Sequence, residues 1–311
     1  MKNQESKKQK NIHRMALQLV RHHFPGNKIR TSQLGGGLTN FVFGVKTGKT
    51  ELVVRISEQA DKINHFQKEQ WAVARAREKK IPVPEILEVG NSIIPLPYMI
   101  SRKVEGTSAL HHPSRLDILE EIGCIAARIH TIPTKGYGHT FDWSHNALTK
   151  NNRWKDFLDD EICVMERVAI LKKGRMMPAS SIRRLETELR KIKAWKGRAC
   201  LQHGDLRLKN VMVNGEGKVL AIIDWEECIS AIGPLWDISI ALHDLSVDAQ
   251  QRFLQGYGIK GREMIRISKT IKIFNLLNYA PVIQDMLEKK DQLQLDYYRA
   301  RLQGALDMYS I

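Results

Sequence analysis

Acidic residues are in short supply in this chain, with 34 Asp and Glu against 49 Lys and Arg over 311 residues, a formal net charge of +15. Such an excess raises the question of nucleic-acid binding. The basic residues are dispersed, however, with local clusters only at 7–10 and within 167–198, and no aromatic residues interleave them as a stacking platform. A nucleic-acid partner is therefore not expected. Long hydrophobic runs are missing too. None approaches the roughly 20 apolar residues that span a bilayer, so no membrane segment is expected. The opening MKNQESKKQK lacks the apolar stretch of a secretory signal. Cysteine is sparse: Cys124, Cys163, Cys200 and Cys228 stand far apart with no CxxC spacing. That pattern argues against a disulfide scaffold and reads as thiols in a reducing compartment, with the cytoplasm expected. No internal repeat and no low-complexity linker divides the chain, and neither a Walker motif nor a strict GxGxxG occurs.

What is present is concentrated in LQHGDLRLKNVMVNGEGKVLAIIDWEE, residues 201–227. Val211-Met212-Val213 reads as a short strand, Asn214 to Gly217 as a hairpin turn, and Val219 to Ile223 as the returning strand. The hairpin delivers Asp224 to the same mouth as Asn210, five residues after Asp205. Phosphoryl transfer from ATP needs this kind of grouping. One carboxylate orients an attacking hydroxyl and accepts its proton, a task that fits Asp205. An amide oxygen and a second carboxylate hold Mg2+ against the β- and γ-phosphates, a task that fits Asn210 and Asp224. Singly, each residue also fits an ordinary hairpin end held by side-chain to backbone hydrogen bonds. The joint pattern H-G-D-x4-N, hairpin, apolar-Asp-Trp-Glu is what points to phosphoryl transfer.

Upstream, Ile12 to Phe24 has helical apolar spacing after a charged, frayed tail over 1–10. LGGGLTNFVFGV, residues 34–45, follows. Gly36 and Gly37 let backbone N–H groups approach phosphate oxygens, and Thr39 and Asn40 add side-chain donors, although a glycine triplet between strands equally fits a hairpin turn. Arg55 lies in the strand Glu51 to Ile56 and can contact two phosphate oxygens at once. A helix from His65 to Lys79 offers Glu69 as its ion-pair partner, with Glu58 as the competitor. Ile81-Pro82-Val83-Pro84 ends that helix. A strand runs from Pro97 into a turn at Gly106. Beyond it, Leu116 to His130 is an amphipathic helix, and the last segment reads as helices interrupted at Gly256–Gly261 and at Pro281.

HGDLRLKN followed by IIDWE resembles the catalytic and metal-binding loops of the aminoglycoside phosphotransferase and choline kinase superfamily, relatives of the protein kinases. Gly204 stands where protein kinases carry arginine, and Trp225-Glu226 where they carry Phe-Gly. Both departures point to the small-molecule branch. The resemblance implies an α+β, two-lobed protein kinase-like fold. A small antiparallel-sheet nucleotide lobe (1–102) would precede a larger, mostly helical catalytic lobe (103–311) with a helical insertion at about 150–197. It implies a catalytic base at Asp205, magnesium ligands at Asn210 and Asp224, and Arg207 beside the transferred phosphate. The glycine run becomes a nucleotide-positioning loop, and YMISRKVEG a hinge reading adenine through the main chain of Ser101 and Lys103. His203 and Asp237 support the catalytic loop.

The expected function is transfer of the γ-phosphate of ATP (GTP being the other candidate nucleotide) to a hydroxyl of a small molecule, first an aminoglycoside-type antibiotic. Two alternatives stand beside it. One is a kinase of a neutral or less cationic alcohol, such as a macrolide, sugar or amino alcohol, and the other a nucleotide-binding pseudokinase scaffold. Asp159, Asp160, Glu226 and Glu227 are the acids expected to meet an ammonium-bearing acceptor, and those at 159–160 equally fit a helix's solvated first turn. A monomer or homodimer is expected.

Overall fold

A computed structural model describes residues 2–34, 40–143 and 151–308, with side chains between 8 and 303 of those ranges. It divides into two compact units, one formed by Met1–Ala109 with Lys209–Glu226 and the other by Leu110–Leu208 with Glu227–Ile311. The chain crosses between them at Leu208/Lys209, inside the stretch that carries Asp205 and Asn210.

The first unit is built on an antiparallel sheet of five strands, ordered β1 (Ile29–Gln33), β2 (Phe41–Thr47), β3 (Thr50–Ile56), β5 (Tyr98–Arg102) and β4 (Ile86–Gly90). Strand periodicity decides which side chains meet which layer. Leu52, Val54 and Ile56 of β3 alternate into a core shared with Ile12, Ala16, Leu19 and Val20 of helix α1 (Lys2–His23). Burial of each large aliphatic chain there contributes roughly 1.5–3 kcal/mol. The intervening Arg55 emerges on the other face, beside helix α2 (Lys62–Glu78). α1 begins at Lys2, not at Ile12 after a frayed tail. Its extension is rich in Lys, Gln and Glu, residues of good helix propensity.

A second, three-stranded antiparallel sheet joins β6 (Thr107–Ser108), β8 (Val211–Val213) and β9 (Val219–Ile222) in the order β6-β8-β9. Asn214 closes the β8–β9 turn. Its side-chain oxygen accepts the N–H groups of Glu216 and Lys218 at 3.1 and 2.9 Å. The hairpin is tied to the Pro-Val-Pro segment by the Ile222 N–H, which donates to the Pro82 carbonyl at 2.8 Å.

The second unit is mainly helical, with α3 (Arg115–Ile129), the single turn α4 (Trp154–Asp156), α5 (Val164–Lys173), α6 (Ala179–Lys193), α7 (Leu235–Ala241), α8 (Val247–Tyr257), α9 (Gly261–Lys289) and α10 (Gln292–Met308). The strands β7 (Ala199–Gln202) and β10 (Ile229–Ile232) pair antiparallel beside them. Its core gathers Phe157, Val168, Leu189, Trp236, Phe274 and Leu277. Pro281 does not interrupt α9, contrary to the sequence expectation. Proline has no N–H to give the carbonyl four residues back. That carbonyl, on Leu277, accepts from Arg167 Nη1 at 3.2 Å, so the gap in the ladder is filled from α5.

α3 and α8 cross with their backbones in contact. A Cβ on Gly123 would stand 2.1 Å from the Phe253 carbonyl oxygen, and one on Gly256 only 1.8 Å from that of Glu120. No rotamer change relieves a clash with backbone. Gly256→Ala should therefore lower unfolding stability by about 1–3 kcal/mol, seen as an earlier midpoint in urea. An unchanged midpoint would contradict this crossing.

Among the described residues no helix is long and apolar enough to cross a membrane.

Candidate active site

In the first unit, charged side chains converge from β3, α2 and the segment after β9. Arg55 forms an ion pair with Glu69 of α2, and its Nη1 lies 3.9 Å from Asp224 Oδ1. The guanidinium also sits over the Phe66 ring, 5.2 Å from the centroid. Burial works against the Arg55 charge, but Glu69 outweighs it, aided by Asp224 and Glu226, and raises its pKa above the ordinary value. Arg55 Nε is buried without a partner among the described residues. The Nη1 side of its fork, which faces Asp224, is the part placed to meet an anion. Glu58, the competing partner in the sequence, pairs instead with Lys8 of α1 at 2.6 Å.

Asn210 and Asp224 stand at one end of the β8–β9 hairpin. Val211 pairs with Ile222, and the Ile223 N–H donates to the Asn210 carbonyl at 2.9 Å. Asp224 adopts a left-handed backbone, φ 65°, and its side chain is 46% exposed. Two residues on, Glu226 is drawn inward to an ion pair with Lys62 at the start of α2. Burial alone would raise the Glu226 pKa, but the hydrogen bond and charge of Lys62, with Arg55 behind, hold it below the ordinary carboxylate value. Asn40 Nδ2 donates to the same carboxylate at 3.3 Å. Glu226 is thus committed to the interior of this unit. Gly36, Gly37 and Thr39 lie outside the described residues.

Ser101 is in β5, paired on both sides, with Val53 and with Ile86. The Lys103 N–H donates to the Glu51 carbonyl at 2.9 Å, and its Nζ pairs with the Glu51 carboxylate at 2.7 Å. That N–H is already engaged.

In the second unit, β7 leads into His203-Gly204-Asp205. The loop is pinned by the buried Asp237 of α7. One Asp237 oxygen accepts the His203 N–H at 2.9 Å and the other the Gly204 N–H at 3.0 Å, while His130 Nε2 approaches at 3.1 Å. The Asp237 N–H in turn donates to Gln202 Oε1 at 2.8 Å. Burial would raise the Asp237 pKa, but His130 and the His203 amide outweigh it and hold the carboxyl below the ordinary aspartate value. Gly204 has φ 81°, and a Cβ there would lie 1.9 Å from the Glu227 carbonyl oxygen, so only glycine fits this bend. The Asp205 N–H donates to His203 Nδ1 at 3.2 Å, and the Asp205 carboxylate is ion-paired with Arg207 Nε. Asp205 is thereby oriented by its own loop, with its side chain 14% exposed.

Residues 30–266 match the phosphotransferase enzyme family, APH. The chain belongs to that family. It is 24% identical over 208 residues to hygromycin-B 4-O-kinase of Escherichia coli, a match spanning 63% of this chain and 57% of that enzyme's length. Its fold is that of the kinase-like aminoglycoside phosphotransferases. The crystal structure of aminoglycoside phosphotransferase APH(4)-Ia superposes with a TM-score of 0.69 at 18% identity, covering 96% of this chain and 99% of the other. A thermostable mutant of the same protein, in ternary complex with AMP-PNP and hygromycin B, gives 0.67 at 19%, covering 94% and 98%.

Within this phosphotransferase-family chain, no group of three or more His, Cys, Asp or Glu among the described residues forms a metal site by itself. Magnesium does not need one. It is held through one or two carboxylates and substrate phosphates, with water completing its shell. The half-exposed Asp224 and the neighbouring Asn210, a hard carboxylate and an amide oxygen, fit that donor set. Of the other acids expected to face a substrate, Asp159 is paired with Lys155 at 2.6 Å and also with Lys193. Asp160 and Glu227 are exposed. Sequence reasoning passed over Lys62, although its spacing of seven from Glu69 puts both on one face of α2.

Proposed function

We propose that this chain transfers the γ-phosphoryl group of ATP to a hydroxyl of an aminoglycoside-type acceptor, with hygromycin B as the first to test. The observation that carries the reading is the buried Arg55–Glu69 pair whose Nη1 is directed at Asp224. Family membership supports it, as does the co-crystallisation of a protein of this fold with a nucleotide analogue and hygromycin B.

When bound, magnesium and ATP supply an electrophilic phosphoryl group whose charge is partly offset by the metal. Asp224 and Asn210 are the residues that would hold the ion. Arg55, fixed by Glu69 and Phe66, would offer the Nη1 side of its fork to phosphate oxygens. Asp205 orients the acceptor hydroxyl and receives its proton. The Gly204 bend and the Asp237 brace keep Asp205 in place, so little reorganisation is needed as the proton moves. Arg207 pairs with Asp205 through Nε and retains its terminal nitrogens for the transferred group.

A second reading, a less cationic alcohol as acceptor, is favoured by the acids at the start of the helical insertion. Asp156 is paired with Arg153 at 2.7 Å and Asp159 with two lysines, so they do not form a bare anionic patch for a polycation. A coupled ADP-release assay over hygromycin B, other aminoglycosides, a macrolide, sugars and choline separates the readings. Acceptor-dependent ADP release with hygromycin B is expected. Release with only the neutral alcohols would favour the second reading, and ADP release with none would contradict both.

A further inference from the structure

The segment that presents Asp224 holds an unfavourable geometry. A non-glycine residue in the left-handed region costs roughly 1–2 kcal/mol and persists only where its surroundings over-determine it. The two residues after Asp224 supply that constraint. Trp225 is fully buried, and its Nε1–H donates to the Ile222 carbonyl at 3.0 Å. Glu226 reaches into the unit to meet Lys62 and also accepts from Asn40 at 3.3 Å. The Lys62 and Glu226 side chains are only 6% and 13% exposed, so the pair is shielded from the screening that makes surface ion pairs weak. Breaking such a pair leaves a charge buried without its partner.

One helix therefore approaches Asp224 by two routes. From Glu69 the route runs through Arg55, whose Nη1 is 3.9 Å from Asp224. From Lys62, on the same face of α2, it runs through Glu226. Asn40, the first described residue after the glycine run, joins the second route. Its Oδ1 is buried without a partner among the described residues.

We infer that Lys62 and Glu226 form an internal latch that fixes the Asp224 segment for metal binding, so that Glu226 acts as a positioning residue and not as a contact for the acceptor. This rests on the proposed reading of Asp224 as a magnesium ligand. A positioning partner of a metal ligand changes the metal requirement by about 10–100-fold when removed, without altering the acceptor's own contacts.

The test has two arms on the full chain. Without any ligand, hydrogen–deuterium exchange at the amides of residues 223–227 should quicken about tenfold or more in Lys62→Met and stay near wild type in Lys62→Arg. In steady-state ADP release, the half-saturating magnesium concentration should rise about 10–100-fold in Lys62→Met and in Glu226→Gln. The double variant should be no worse than the more affected single, and the acceptor KM should not move. Unchanged exchange at 223–227 in Lys62→Met overturns the latch. So does a raised acceptor KM with an unaltered magnesium requirement in Glu226→Gln. Glu226→Gln keeps size and hydrogen bonding, and it carries both arms should Lys62→Met fail to fold. If wild type releases no ADP with any acceptor, the proposed function fails, while the exchange arm still decides whether the latch exists.

Discussion

Asp205→Ala should lower kcat by about 10²–10⁴-fold, the range associated with losing a positioned general base, while KM for ATP changes little. The reason is the division of labour between the units. Arg55, Glu69, Asn210 and Asp224 belong to the first unit and Asp205 to the second. Asp205 is held by its own loop, through His203 and Arg207. Removing its carboxylate therefore deletes the proton acceptor and the orienting group and leaves the proposed phosphate and metal ligands themselves in the chain. Asp205→Asn, equal in size but unable to take the proton, should lose a comparable factor. Steady-state ADP release at saturating ATP and acceptor measures this. Near-wild-type turnover in either variant would remove Asp205 from the chemistry.

Asp237→Ala should be the most destabilising single change in the second unit, costing about 3–5 kcal/mol, as when one partner of a buried charged pair is removed. It would strand the His203 and Gly204 amides and the His130 ring at once. The native Asp237 carboxyl is held below the ordinary value of 3.8, so its charge stabilises the fold fully above that pH. That contribution disappears as pH falls through the lower native value. The gap in urea midpoint between wild type and Asp237→Ala should therefore be wide near neutrality and narrow in acid below about pH 3.8. A gap of constant width across that span would contradict an ionised Asp237 at the brace.

How much of this was legible in the sequence follows from where the determinants lie. Asp205, Asn210 and Asp224 fall within one stretch whose strands and turn are local, so the hairpin could be read from its strands and the turn at Asn214 to Gly217, although not the register shift between Met212 and Val213. The pairing of Arg55 with Glu69 was readable only as one of two options. Choosing it over Glu58 depends on α1, whose Lys8 captures Glu58. Lys62 and Glu226 lie 164 residues apart, and no periodicity links a helix's first turn to the end of a distant hairpin. The passage of α9 through Pro281 was misread for a similar reason: proline's local penalty is visible in sequence, whereas the compensating bond from Arg167 is tertiary. Asp159 has a partner that its spacing makes readable, Lys155 four residues before it, and a second that spacing does not reveal, Lys193 of α6, 34 positions away.

Mass spectrometry of the acceptor after incubation with ATP and magnesium tests the central claim most directly. With hygromycin B, wild type should add one phosphoryl group, and Asp205→Ala should leave the acceptor unmodified over the same interval. A wild-type product without the added group, or equal modification by the two proteins, would contradict the assignment of phosphoryl transfer to this site.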